Sequence, residues 1–255
     1  MSRGTPSILM LVLLAGCSGA GDESSAARDG KSGSAGKVLS GADLDRFLKV
    51  VESHAGAMIP EFTPPDEDDS LDLNAPADKL LAAFQSQCRR LFDIQRQGAI
   101  WKRDTQWARV LSGSQIAPEQ FAALVRDVSL AIMRVRLEAR VDVAQLVRQG
   151  RAQVERAVRT IDEIDEVPLA ERTAEATTLR TRCVMRLGRA VALLEFAELV
   201  RDVPAENAAV VRRYSQKLKP LLPASLNEEL LAELKRLARQ PNGDVEPAAY
   251  ETDDE

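Results

Sequence analysis

Residues 118–166 read PEQFAALVRDVSLAIMRVRLEARVDVAQLVRQGRAQVERAVRTIDEIDE, and this stretch decides the fold class. Apolar or small residues recur along it in steps of three, four and four, from Phe121 to Ile161. The resulting period of 3.67 residues per turn is close to that of a straight α-helix. Because Pro118 suits a first helical turn, the pattern predicts one helix from Pro118 to Glu166, about 70 Å long.

A second long helix follows a predicted turn at 166–169, where Pro168 disfavours the helical conformation of the residue before it. This helix is predicted to reach Asp202 and to pack antiparallel to the first. A turn centred near residue 167 places Gly150 beside Cys183 or Val184. Gly150 then allows a close approach of the two helices, or it marks a kink. The apolar stripe of the second helix consists of Ala176, Leu179, Cys183, Leu187, Ala190, Leu194 and Ala197.

Helical spacing also occurs on both sides of this pair. It predicts a first body helix from Pro76 to about Trp101, a break at 112–114, and a helix from Pro204 to Leu218. Ser225 and Glu228 form a capping-box pattern before a last leucine stripe. The chain is therefore predicted to be all-α, with residues 75–239 forming an elongated antiparallel helical bundle built on the long hairpin.

Residues 1–16 have the pattern of a signal peptide. A polar start with Arg3 precedes an apolar run at 8–15, which is shorter than the roughly 20 residues that span a bilayer. The stretch Leu14-Ala15-Gly16-Cys17 resembles the lipobox of bacterial lipoproteins. That resemblance implies cleavage before Cys17 and acylation of its sulfur, and Ser18 at the next position favours the outer membrane, facing the periplasm, in a two-membrane bacterium. The alternative is an ordinary secretory signal that contains Cys17.

The remaining segments differ sharply in composition. Residues 17–41 are rich in Ser, Gly and Ala and predict a flexible tether. Residues 42–59 predict a short amphipathic helix, which an acidic, Pro-rich linker at 60–74 separates from the body. Residues 240–255 contain six acids and no base, and they predict a disordered tail.

Composition bears on chemistry mainly through the single histidine, His54. One histidine cannot form a multi-histidine zinc site or the paired Glu-x-x-His motifs of a di-iron bundle. The chain also lacks a Gly-rich phosphate loop, Gly-x-Ser-x-Gly, His-Glu-x-x-His and Cys-x-x-Cys. We therefore expect that the protein is not an enzyme and that it binds no metal and no small-molecule cofactor. The competing hypothesis is an enzyme that uses His54 or clustered carboxylates in a polar cleft.

Two cysteines, Cys88 and Cys183, remain beside the one at the lipobox, and each lies on an apolar stripe. In an oxidising compartment they could form a disulfide if their Cα atoms approach within about 7 Å. Buried, unreactive thiols are the favoured interpretation, because cysteine often serves as a small core residue.

The densest aromatic and basic cluster comprises Trp101, Lys102, Arg103, Trp107 and Arg109. If exposed, it could stack on sugar rings or lie at a lipid headgroup layer. If buried, the indoles fill a corner between helices, and burial is the favoured interpretation.

Carboxylates are concentrated at two other places. Four of them lie at the end of the long helix: Asp162, Glu163, Asp165 and Glu166. They could form a cation site, but a solvated turn is the favoured interpretation. Glu195 and Glu198 interrupt an apolar run and are either buried or, by default, solvent-facing.

The formal net charge of −5 conceals a strong segregation of charge. Residues 75–239 contain 28 Lys and Arg against 21 Asp and Glu, whereas residues 60–74 and the tail are purely acidic. Pairs such as Arg134 with Glu138 and Arg151 with Glu155 would satisfy some of the basic side chains. These features predict a non-enzymatic, lipid-anchored envelope protein with an envelope protein partner and no nucleic acid. The alternative is a binding protein for an anionic lipid or polysaccharide, with the acidic segments as competitors.

Overall fold

The computed structural model describes residues 37–65 and 71–222, and the all-α prediction is confirmed for them. Helices α1 to α4 comprise Gly41–Ser53, Ala77–Leu91, Ile94–Arg103 and Thr105–Gly113. Helices α5 to α7 comprise Pro118–Glu138, Val143–Asp165 and Ala174–Arg201. Helices α8 and α9 comprise Ala205–Arg213 and Ser215–Leu218, and short 3-10 helices occur at Leu169–Glu171 and Lys219–Leu221.

The prediction of a single helix over 118–166 is wrong, because residues 139–142 are not helical and separate α5 from α6. Asp142 caps α6, with its carboxylate accepting hydrogen bonds from the backbone N–H groups of Ala144 (2.9 Å) and Gln145 (3.2 Å). A residue that caps the start of a helix has a non-helical backbone conformation, so the preceding helix cannot continue through it. Most of the predicted stripe is nevertheless buried, from Phe121 to Ile161.

The first body helix, predicted from Pro76 to about Trp101, is likewise divided at Asp93, and Asp104 marks a further boundary just beyond its predicted end. Asp93 caps α3 and Asp104 caps α4, each through a carboxylate that accepts two backbone N–H groups in the first turn. The predicted boundary at 112–114 is close to the observed end of α4 at Gly113, and Pro118 begins α5 as predicted.

Helices α6 and α7 form the most extensive helix pair among the described residues, and they are antiparallel. A Cβ on Gly150 would lie 3.3 Å from the Cβ of Leu194, so this glycine does mark a close approach. The predicted partners Cys183 and Val184 were wrong, because the connection at 166–173 is longer than a tight turn and shifts the register.

Helix α1 is part of the main body and not the separate unit predicted for 42–59. Its apolar face is fully buried in the same hydrophobic core as α5 and α7, and Phe47 stacks on Phe121 with ring centroids 6.1 Å apart. Residues 59–62 also enter this core through Ile59 and Phe62. Residues 39–62 therefore belong to the same body as the residues after 75.

Several predictions concern residues outside the described ranges. These are the signal peptide at 1–16, the lipidation of Cys17, most of the tether, the Ser225 capping box and the tail at 240–255. Within residues 37–65 and 71–222, no helix has the length and apolarity that crossing a bilayer requires.

Candidate interaction surface

The indoles of the predicted aromatic and basic patch are buried. Trp101 and Trp107 lie 5.4 Å apart, and both pack against the ring of Phe121 at 5.3 and 5.5 Å. The three basic residues of the patch, Lys102, Arg103 and Arg109, are exposed. The favoured interpretation is confirmed for the tryptophans, which therefore offer no stacking platform for a sugar.

His54 lies at the C-terminal end of α1 and stacks on Trp107, with centroids 3.9 Å apart and planes at 11°. Its imidazole makes no side-chain hydrogen bond to any described residue. It also does not line the cleft of about 330 Å³ between residues 71–75 and α2. In the described part of the chain, His54 therefore has a packing partner and no carboxylate, hydroxyl or thiol partner of the kind that acid–base catalysis uses.

Cys88 and Cys183 are buried free thiols. The disulfide alternative is not borne out, and the favoured interpretation of two buried thiols fits the structure. Burial, together with the nearby charge of Glu195, raises the pKa of Cys88 to about 12, and burial also raises the pKa of Cys183. Both environments favour the neutral thiol over the nucleophilic thiolate.

In the acidic cluster at the end of α6, Asp162, Glu163 and Glu166 are exposed, as a solvated turn predicts, and Asp165 is paired with arginine. Asp165 receives hydrogen bonds from Arg180 at 2.6 and 2.8 Å and forms an ion pair with Arg172 at 2.8 Å. These contacts hold the pKa of Asp165 below its usual value, with the hydrogen bond from Arg180 as the main cause. The described residues contain no group of three His, Cys, Asp or Glu that could hold a metal ion.

Arg180 is an anchor that the apolar stripe did not predict. It is only 4% exposed, whereas its neighbour Leu179, assigned to the stripe, is 45% exposed. Besides Asp165, its guanidinium donates to the backbone carbonyls of Leu73 and Ala75. The end of the predicted linker is thereby attached to α7, beside the C-terminal end of α6.

The remaining predicted ion pairs are partly rearranged. Arg134 pairs with Glu138 within α5 at 2.6 Å, as predicted. Arg151 pairs with Glu198 on α7 instead of Glu155 on its own helix. Glu198 thus helps to join the two helices, while Glu195 is half-buried and burial raises its pKa.

The first described residues are clamped to α8 by the buried side chain of Asn207. Its Oδ1 accepts the backbone N–H of Leu39 at 2.7 Å, and its Nδ2 donates to the carbonyl of Lys37 at 3.0 Å. An amide side chain satisfies a backbone donor and a backbone acceptor at once in this way. Lys37 and Leu39, the described residues nearest to Cys17 in sequence, are therefore fixed against α8.

Residues 37–59 and residues 205–221 form two segments that contact each other beyond this clamp. The hydroxyl of Tyr214 lies 3.2 Å from the carbonyl oxygen of Gly41, and the backbone N–H of Ile59 donates to the carbonyl of Leu221 at 2.8 Å. Contacts thus advance in the same direction along both segments. We call residues 37–59 together with residues 205–221 the tether-side layer.

The tether-side layer has an excess of positive charge. It contains seven Lys and Arg against four Asp and Glu. Four of its exposed bases form no ion pair with any described residue, and these are Arg46, Lys49, Arg213 and Lys219.

A second group of free bases lies on α7. Arg182, Arg186 and Arg189 are exposed, and their spacing of four and three residues places them on one face of the helix. None of them forms an ion pair with a described residue. These arginines and the basic residues of the tether-side layer therefore lie on different helices.

Sequence reasoning missed Asn207, Arg180 and the tether-side layer. Asn207 lies in the first turn after Pro204, where nothing in the local pattern distinguishes a clamp from a surface amide. Asp142 did leave a signal, because it precedes Gln145 by the three residues of a capping box.

The chain was also compared with known proteins. No protein-family profile, no curated protein and no solved structure matches it.

Proposed function

We propose that the protein is a non-enzymatic lipoprotein of the cell envelope, whose helical body acts as an interaction or structural module at the end of a tether from acylated Cys17. The observation that carries this proposal is the Asn207 clamp, which holds Lys37 and Leu39, the described residues nearest to Cys17 in sequence, against α8. A fixed attachment point of this kind would give a tethered body a defined side toward its anchor. The resemblance of residues 14–17 to a lipobox supplies the anchor.

The environments of the potentially catalytic side chains support a binding role over a catalytic one. His54 is stacked, the thiols are buried and neutral, and Asp165 is held by arginine. Two exposed basic surfaces remain available for contact with partners.

Membrane fractionation of cells that express the wild-type chain or its Cys17→Ser variant tests the anchor. We expect the wild type in the membrane fraction and the variant in the soluble fraction, with intact mass showing the acyl groups only on the wild type. Pull-downs with both forms then test the module. Equal membrane association of the two forms without acylation would refute the lipoprotein proposal, and the absence of a reproducible envelope partner would refute the module.

The second candidate is a binding protein for an anionic envelope ligand, with the acidic tail as competitor. The free arginines at 182, 186 and 189 favour it, because guanidinium groups make bidentate contacts to carboxylates and phosphates. Removing residues 240–255 should strengthen binding to an anionic polysaccharide, and more so at low salt. Unchanged affinity after this truncation would contradict competition by the tail.

A further inference from the structure

The tether-side layer has three properties that belong together on a membrane-facing surface. The first is its position, since the Asn207 clamp places Lys37 at its edge and Cys17 lies only 20 residues earlier in the chain. A flexible segment of that length has a root-mean-square span of about 25 Å. The 37–59 segment of the layer is thus the described part of the chain nearest in sequence to the proposed lipid anchor, and residues 205–221 contact it through Asn207 and Tyr214.

The second property is its charge. The bases Arg46, Lys49, Arg213 and Lys219 are exposed and free of ion pairs with described residues. Part of the layer's negative charge is already engaged, since Asp43 pairs with Lys37 and Asp45 lies 3.9 Å from Lys217. The groups left free are therefore mainly cationic, which suits a surface of anionic headgroups.

The third property is a pair of exposed apolar side chains on the same layer. Val38 is 55% exposed beside the clamp, and Met58 is 47% exposed next to Ile59, which bonds to Leu221. They bracket α1 along the sequence. Basic residues accompanied by exposed apolar side chains are the composition of segments that bind at the headgroup and acyl boundary.

We infer that the tether-side layer lies on the anionic headgroups of the bilayer that holds the N-terminal lipid. This inference rests on the proposed lipid anchor for its setting. Because the tether keeps the layer at a high effective concentration near the bilayer, a contact that is weak in isolation suffices to orient the body. The arginine face of α7 then remains available to other partners.

Vesicle flotation of the mature chain with Cys17→Ser tests the surface without the anchor. Vesicles of phosphatidylcholine with about 40% phosphatidylglycerol are compared with pure phosphatidylcholine at low salt, under which electrostatic binding is strongest. We expect binding only to the anionic vesicles. The triple variant K49E/R213E/K219E should lose at least about tenfold in partition coefficient, which a charge-reversed surface would produce through repulsion.

The matched control is R182E/R186E/R189E, which changes the net charge by the same amount on the α7 face. We expect it to lose less than about twofold, and circular dichroism checks that both variants stay folded. Equal losses would mean that net charge and not this layer mediates binding, and a larger loss for the control would place the contact on α7. Either result, or equal binding to both vesicle types, would overturn the inference.

A fluorophore reports the orientation directly. Val38→Cys and Leu169→Cys place an environment-sensitive dye at two side chains of similar exposure, 55% and 58%, on and off the layer. We expect anionic vesicles to blue-shift the emission of the dye at position 38 and to leave that at position 169 unchanged. A shift at position 169 alone would overturn the inference, whereas failure of the lipoprotein proposal would appear only in the fractionation of the wild type.

Discussion

Gly98 provides a quantitative test of the close packing between α3 and the start of α5. A Cβ at this position would lie 2.8 Å from Cγ, 2.9 Å from the backbone nitrogen and 3.0 Å from Cα of Glu119. The Cγ belongs to a flexible side chain that can move away, but the backbone atoms are fixed by α5. Gly98→Ala therefore requires the two helices to separate.

The expected free-energy change combines two opposing terms. Alanine in place of glycine inside a helix contributes about 1 kcal/mol of stability. Overpacking a close contact costs about 1–3 kcal/mol. Since the obstructing atoms are backbone, we expect the upper part of that range and a net loss of about 1–2 kcal/mol. For a chain of this size, the melting temperature should fall by about 2–8 °C.

Gly113 and Gly150 supply matched controls for the same substitution. A Cβ on Gly113 meets nothing within 4 Å, so Gly113→Ala should be neutral or stabilise by up to about 1 kcal/mol. Gly150→Ala should be intermediate, because its nearest contact is 3.3 Å, to the Cβ of Leu194.

Urea unfolding of the mature chain with Cys17→Ser provides the measurement. Fluorescence follows the transition because both tryptophans are buried in the core. A Gly98→Ala variant as stable as the wild type would refute the close approach of α3 to α5. A Gly113→Ala variant that is equally destabilised would show that glycine is needed for its backbone freedom and not for space.

Three other predictions concern the ion pair of Asp165 with Arg180, the two buried thiols and the Asn207 clamp. Asp165→Asn should destabilise the fold at pH 7 by about 1–3 kcal/mol, because the partly exposed carboxylate that pairs with Arg180 loses its charge while the guanidinium keeps two backbone acceptors. Since the pKa of Asp165 is lowered from 3.8, the difference from wild type in chemical denaturation should persist above about pH 4 and shrink as the pH falls through the lowered value. A constant difference down to pH 2 would contradict this. In the Cys17→Ser variant, Cys88 and Cys183 should react negligibly with a thiol reagent at pH 8 in the folded state and should consume two equivalents of the reagent after unfolding. Consumption of no reagent under denaturing, non-reducing conditions would indicate a disulfide. Asn207→Leu should speed amide exchange at Leu39 by at least tenfold, with Glu206→Leu as the surface control, and unchanged exchange would refute the clamp.

Periodicity predicted the class of fold and most of the core. Positions such as Phe121, Ile161 and Leu187 are buried as their spacing indicates, because burial of one helix face is a local, repeating property. Helix ends were harder to predict. Three of them depend on aspartate caps at residues 93, 104 and 142, and an aspartate inside an amphipathic pattern is equally compatible with a solvent-facing position.

The candidate surface depended on information that spacing does not contain. Arg180 occupies a buried position because Asp165 and two backbone carbonyls surround it, and the carbonyls of Leu73 and Ala75 are 107 and 105 residues away in the chain. The same holds for Asn207, whose partners are 168 and 170 residues away. The local pattern specified helices, while the placement of polar groups followed from tertiary contacts.

The clamp has a consequence for the order of events during synthesis. Leu39 is among the first residues of the body to be made, yet the side chain that receives its backbone N–H follows 168 residues later. At a synthesis rate of about 5–20 residues per second, this interval lasts about 8–34 s. Throughout it, the backbone N–H of Leu39 lacks its native acceptor, and α1 can pack only on elements made earlier, such as α5 through Phe47 and Phe121. Completion of the body is thereby delayed until almost the whole chain has emerged.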